Sequence, residues 1–196
     1  MQAANYENIV PSNKPNQFRI IGGAWRSRKL SFPELPGLRP SPDRVRETLF
    51  NWLAAEIPGA RCLDLFAGSG ALGLEAASRG AAEVVMVEWE RAAVNALHSH
   101  VNLLNAGQVQ VWEGDALTYL RGSAVPFDVV FIDPPFGSEL LQQSMLALQT
   151  GDWVRPGAHI YLEAKHGTAI SLPGDWVVYR SKTAGQVDYQ LVQVKS

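Results

Sequence analysis

The chain has 196 residues, 46% of them apolar and 18% charged, with a net charge of −2. That length suits one domain with at most a small appendage, and the composition excludes wholesale disorder. The single cysteine, Cys62, excludes a disulfide framework and reads as a small core residue.

No apolar run approaches the roughly 18 residues of a membrane-spanning helix. Residues 1–16 lack the charged start and apolar stretch of a signal peptide, so a cytoplasmic protein is expected. His98, His100, His159 and His166 have no partners at metal-ligand spacing, and no metal is expected. The charge is unevenly spread. From Lys14 to Arg46 eight cations face two acids, Glu34 and Asp43, so that stretch carries +6 and the remainder −8. Arg19, Arg26, Arg28, Lys29, Arg39, Arg44 and Arg46 therefore form a candidate surface for an anionic partner such as nucleic acid.

Residues 1–17, polar and holding Pro11 and Pro15, read as a flexible tail. Residues 18–57 read as a basic hairpin and helix. Phe18 to Leu30, with Gly22-Gly23 inside, suggests the hairpin. Pro33 to Pro42 is a connector, and Ser41-Pro42 looks like an N-cap followed by proline at the first helical position. The helix is expected to run to about Glu56, with Val45, Leu49, Trp52 and Leu53 on one face.

Over residues 58–196 strands and helices alternate. Strands are expected at Cys62–Phe66, Glu83–Glu88, Val109–Glu113, Phe127–Asp133 and Ala158–Ala164, with helices at Ala71–Arg79, Glu90–Asn105, just after Asp115, and at Ser138–Gln149. Two last strands, Trp176–Lys182 and Tyr189–Val194, meet at Ala184-Gly185 with no helix between them. The pattern predicts a doubly wound α/β fold, mostly parallel, with one antiparallel strand from the final hairpin. Ligands should bind at the carboxyl ends of the strands.

Asp64-Leu65-Phe66-Ala67-Gly68-Ser69-Gly70 joins the first of these strands to its helix, and Gly68, Gly70 and Gly73 fit G-x-G-x-x-G. Glu88, at the end of the next strand, could accept both hydroxyls of a ribose. These features alone also suit a dinucleotide. Asp64 tips the balance, because an acid before the loop would repel a pyrophosphate but suits the cationic amino group and sulfonium of S-adenosylmethionine. Asp115, followed by Ala116, could accept from the adenine amino group. Phe66, Ala67, Gly68 and Gly70 complete the candidate cofactor site. Asp64 and Asp115 could instead simply cap the helices that follow them.

Asp133-Pro134-Pro135-Phe136 ends the fourth strand. Two prolines cannot continue a sheet ladder and leave carbonyls free as acceptors. The Asp133 side chain and the Pro134 carbonyl can bind the two N–H groups of a planar exocyclic amine and favour the tetrahedral geometry it needs to attack a methyl group. Phe136 can stack on the base, contributing about 1–3 kcal/mol. Asp133, Pro134 and Phe136 are thus the candidate catalytic residues.

Together these motifs resemble class I amino-methyltransferases. Arg19 to Leu30, Arg39-Pro40 and Asp43-Arg44-Val45-Arg46-Glu47-Thr48-Leu49-Phe50-Asn51-Trp52-Leu53 are similar to the bacterial small-subunit ribosomal RNA guanine 2-amino methyltransferases. The resemblance implies a seven-stranded Rossmann-like sheet, S-adenosylmethionine as donor and N2-methylation of one guanine in ribosomal RNA within a small-subunit particle. Residues 58–196 are then expected to be the methyltransferase domain, and the basic residues 18–57 its RNA-contacting part; a monomer is expected. The family's pattern often has threonines after Arg39-Pro40, where this chain has Ser41-Pro42. A DNA adenine or cytosine amino-methyltransferase, a nucleotide-dependent oxidoreductase and an inactive RNA-binding module are the competing readings.

Overall fold

A computed structural model describes residues 16–195. The expected tail over residues 1–17 lies almost wholly outside the described residues.

The chain opens with a two-stranded antiparallel sheet, β1 (Asn16–Arg19) and β2 (Lys29–Phe32), followed by helix α1 (Asp43–Trp52). Then come β3 (Arg61–Asp64), α2 (Ala71–Ser78), β4 (Glu83–Glu88), α3 (Arg91–Leu104), β5 (Val109–Glu113), α4 (Ala116–Tyr119), β6 (Phe127–Ile132), α5 (Leu140–Thr150), β7 (Val154–Lys165), β8 (Trp176–Ala184) and β9 (Val187–Val194). The seven strands from β3 onward form one sheet in the order β5-β4-β3-β6-β7-β9-β8. β3 pairs in parallel with both β4 and β6, and β6 pairs in parallel with β7. β9 is antiparallel to both neighbours. The doubly wound fold read from the sequence is the one observed. The antiparallel strand is β9, slotted between β7 and β8.

Two local expectations change. α1 stops at Trp52 rather than near Glu56, with Leu53 closing it through its N–H to the Leu49 carbonyl. Pro42, not Ser41, is the N-cap, and no side chain caps that helix. The Ser41 hydroxyl is committed elsewhere.

Strand alternation splits the core into two layers. On β6, Val129 and Phe131 face one layer while Val130 and Ile132 face the other. The first layer is closed by α1, α2, α3 and the N-terminal hairpin, whose Phe18, Ile20, Leu30 and Phe32 share it with Leu97 and Leu104 of α3. The second is closed by α4 and α5 through Leu120, Met145 and Leu148. Residues 18–57 therefore pack into the same core as the main sheet.

Glu75 of α2 anchors this extension. It is fully buried, and its carboxylate accepts the backbone N–H groups of Ile21 (2.7 Å) and Gly22 (2.8 Å). It also pairs with Arg79 (2.7 Å) and lies 3.6 Å from Arg46. Gly23 next door has φ +75°, and a Cβ there would stand 1.8 Å from the Ser78 carbonyl oxygen, so only glycine lets the hairpin loop settle on the end of α2.

Candidate active site

The strand order reverses at β3, so a crevice opens at the carboxyl ends of β3 and β6. Asp64 ends β3 and pairs in register with Phe131, which places Asp133 just beyond it, directly after β6. Glu88 ends β4, Asp115 follows β5, and Glu163 lies near the end of β7. A row of acids thus edges the sheet where the ligand should sit.

The glycine loop is held from below by two of them. Asp64, only 2% exposed, accepts the Gly73 N–H at 2.8 Å, in the first turn of α2. Burial pushes its pKa up to about 7; the charge of Glu88 adds to that, while the Gly73 and Phe66 N–H groups oppose it. Glu88 accepts the N–H groups of Gly68 (2.8 Å) and Glu90 (2.7 Å). A carboxylate has about four lone-pair sites, so Glu88 is fixed in orientation and still able to accept. Gly68 and Gly70 take positive φ, +53° and +81°, and Gly70 closes the turn with its N–H on the Ala67 carbonyl at 2.7 Å. Ala67 is buried and Phe66 half-buried beneath the loop.

The capping role that sequence left open is filled by Asp115; the N-cap of α2 is Gly70, and Asp64 reaches the Gly73 N–H from the end of β3. Asp115 caps α4 through the Thr118 N–H at 2.9 Å and touches the Thr118 hydroxyl at 3.2 Å, both on Oδ1. It remains exposed, beside the buried Ala116, so its other oxygen is open to a ligand. Asp64 is different. Its carboxylate lies inside the protein, so it acts on any ligand through the shape and charge of the loop.

Asp133 follows β6, half-buried, with Pro134 buried and Phe136 52% exposed. The Ser138 hydroxyl and N–H satisfy the Pro135 carbonyl at 2.7 and 3.4 Å, and Gly137 takes φ +81° to close the turn. Among the described residues no donor reaches the Pro134 carbonyl. The loop therefore presents one free carbonyl, one carboxyl and one open aromatic face, the set that an exocyclic amine on a flat ring requires.

Burial, and then the neighbouring Glu163, raise the Asp133 carboxyl well above the usual carboxylate range. The Ser41 Oγ lies 3.0 Å from Glu163 Oε2 and 3.5 Å from Asp133 Oδ2. Sequence reading did not place Ser41 or Glu163 in the site. Glu163 did carry a signal, as a charge within the apolar run Ile160-Tyr161-Leu162-Glu163-Ala164 at a strand's carboxyl end. Trp89 is an exposed aromatic at the edge of this crevice. It directly follows Glu88 and is 72% exposed.

The basic set divides. Arg26, Arg28, Lys29, Arg39 and Arg44 are exposed and form no ion pair among the described residues. Arg19 is exposed but pairs with Asp43 at 3.0 Å. Arg46 does not belong to any surface. It is 0% exposed, and its guanidinium donates to the carbonyls of Ser41 (3.1 Å) and Arg19 (2.9 Å) and to Asp43 (2.6 Å). Phosphate cannot reach it; it ties the extension to the core.

Sheet order, glycine loop and Asp-Pro-Pro-Phe turn together define a Rossmann-like methyltransferase. The family described as conserved hypothetical protein 95 matches residues 18–193. Over 186 residues the chain is 47% identical to ribosomal RNA small subunit methyltransferase D of Escherichia coli strain K12, covering 92% of this chain and 94% of that protein. The Haemophilus influenzae protein of the same name is 40% identical over 191 residues, 95% and 99% of the two chains. The solved structure of yhhF from Escherichia coli, described as a candidate methyltransferase, superposes with a TM-score of 0.87 at 45% identity, covering 92% of this chain and 99% of that one. The chain belongs to this family of ribosomal RNA small subunit methyltransferase D proteins.

Proposed function

We propose that this protein transfers a methyl group from S-adenosylmethionine to the exocyclic 2-amino group of a guanine in small-subunit ribosomal RNA. The observation that carries the reading is the pairing of the Asp133 carboxyl with the free Pro134 carbonyl, beside the open face of Phe136, at the switch point of the sheet. The names of its relatives supply the ribosomal RNA.

The residues present suit this donor. Asp64 and Glu88 lie beneath and beside the glycine loop, where a pyrophosphate would be repelled and a sulfonium attracted. Glu88 accepts the ribose hydroxyls, and the open oxygen of Asp115, with Ala116, takes the adenine edge. Phe66, Ala67, Gly68 and Gly70 shape the wall between them. When bound, the donor supplies an electrophilic methyl group. Phe136 stacks on the guanine, and Asp133 and Pro134 accept its two amino hydrogens. The nitrogen lone pair is thereby drawn out of conjugation and aimed at the methyl carbon. Asp133 then receives the proton that the nitrogen releases.

Arg26, Arg28, Lys29, Arg39 and Arg44, with Arg19 at their margin, bind phosphates of the folded RNA, from which the guanine must be turned out to reach Phe136. Under this reading residues 18–57 are the RNA-contacting part and residues 58–196 the catalytic part. The protein acts as a monomer in the cytoplasm on an assembling small-subunit particle. Among the described residues no helix is long and apolar enough to cross a membrane.

Transfer of labelled methyl groups to small-subunit particles, naked ribosomal RNA and DNA tests the reading. Label should enter the RNA of the particles at guanine N2; labelling confined to DNA overturns it. Replacing Arg26, Arg28 and Lys29 by alanine should leave kcat unchanged and raise KM for RNA. It should also flatten the slope of log affinity against log salt by about 0.7–0.9 for each phosphate no longer neutralised. An unchanged slope would move the RNA surface elsewhere.

A further inference from the structure

The end of β7 carries a buried acid that has no part in binding the amine or the donor. Ile132 of β6 pairs in register with Leu162 of β7, so the next rung sets Asp133 against Glu163. Glu163 is only 4% exposed. Ser41, buried in the connector ahead of α1, closes the triangle, with its Oγ 3.0 Å from Glu163 and 3.5 Å from Asp133.

A hydroxyl has one hydrogen to give. Facing two ionised carboxylates, Ser41 would satisfy one and leave lone pairs opposed on the other. No cation intervenes among the described residues. Arg46 reaches only the Ser41 carbonyl, and its own ion pairs are with Asp43 and Glu75. The other titratable groups that act on the pair are Asp64 from β3, Tyr161 from β7 and, beyond Tyr161, Tyr189 from β9. None of these brings a positive charge. Two like charges this close, one of them almost wholly buried, cannot both persist.

We propose that Asp133 and Glu163 hold a single proton between them, oriented by Ser41, and that Glu163 is a positioning residue which completes the proton acceptor for methyl transfer. The catalytic half of this rests on the role given to Asp133 under the proposed function; the shared proton does not.

The charges then balance at every stage. The pair carries one negative charge and faces one sulfonium. The N2–carbon bond forms as the sulfur–carbon bond breaks, leaving a neutral thioether and a cationic nitrogen. That nitrogen gives one proton to Asp133, while the shared proton settles on Glu163. The pair becomes neutral as the sulfonium charge disappears, so no uncompensated charge is left in the site. One proton passes to water after the product leaves. With both acids ionised the site would hold an unmatched anion; with both protonated there would be no acceptor.

Infrared spectroscopy of the ligand-free protein tests the shared proton without any turnover. The wild-type protein should show a protonated carboxyl band that persists above the range in which Asp64, pushed up to about 7, loses its proton. Asp133→Asn and Glu163→Gln should each abolish it. Absence of the band from the wild-type protein overturns the proposal, and that measurement needs no variant to fold. For catalysis, Glu163→Gln keeps shape and a hydrogen-bond donor but cannot take a proton. Its kcat should fall about tenfold, the effect of one pKa unit, and the acidic limb of its pH profile should move down. KM for RNA and affinity for S-adenosylmethionine should stay unchanged. An unmoved limb with wild-type kcat overturns the role of Glu163. If Asp133→Asn turns over normally, the catalytic reading of Asp133 fails while the infrared result still decides the pair.

Discussion

Asp133→Asn should reduce kcat by about 10²–10⁴-fold, the span of a lost proton acceptor, while binding of S-adenosylmethionine is retained. Asparagine keeps the volume and can still accept one amino hydrogen. It cannot take the proton, and it removes the negative charge that faces the nitrogen as positive charge develops there. Donor binding should persist, because the glycine loop is held by Asp64 and Glu88, not by Asp133. Single-turnover methyl transfer and calorimetry with the donor separate the two effects; normal turnover would sink the mechanism.

The same substitution should stabilise the protein at neutral pH. Burial and Glu163 raise the folded-state pKa of Asp133, so the folded protein binds that proton more tightly than the unfolded chain. Stability therefore falls as pH rises from the unfolded carboxylate's range through the raised folded value. Asparagine removes that slope. A variant more thermostable and far less active than the parent would mark Asp133 as a group kept for chemistry at a cost in stability.

Glu75→Ala should be the most damaging change to the fold. It strips the acceptor from the Ile21 and Gly22 N–H groups and the partner from two arginines, one of them wholly buried. Removing one member of a buried ion pair costs about 3–5 kcal/mol. For a chain of this size that corresponds to a drop in melting temperature of about 6–20 °C. Hydrogen exchange should show the hairpin and α1 loosening first, since their polar ties converge on this carboxylate. A loss within about 0.5 kcal/mol, as for an ordinary surface change, would show that the hairpin is held by its apolar face alone.

The main sheet was legible because each buried parallel strand is an apolar run ended by a polar or acidic residue. Val129 to Ile132 before Asp133 is the clearest case. The antiparallel β9 was legible from the missing helix between Trp176 and Val194. The Asp-Pro-Pro-Phe turn announced its own chemistry, since two prolines can only leave a sheet. Arg46 was misread because charge is written in the sequence and burial is not. Yet its spacing to Phe50 and Leu53 placed it on the inner face of α1, where all three are buried. Asp115 was read as a ligand group or a helix cap, and one of its oxygens is the cap. Both roles want a carboxylate in the same place, and sequence alone cannot count lone pairs. Ser41 and Glu163 meet Asp133 through the sheet register and the fold of the connector; Ser41 and Asp133 are 92 residues apart in the chain.

The position of β9 sets the order in which the protein can be built. β8 leaves the sheet's growing edge empty and can join only through the strand made after it. As the chain emerges from the ribosome, β7 therefore waits with an open edge until residues 187–194 appear. An unpaired apolar edge is the part of a nascent protein most prone to pair with a neighbour. For this chain that exposure lasts through the synthesis of its final strand.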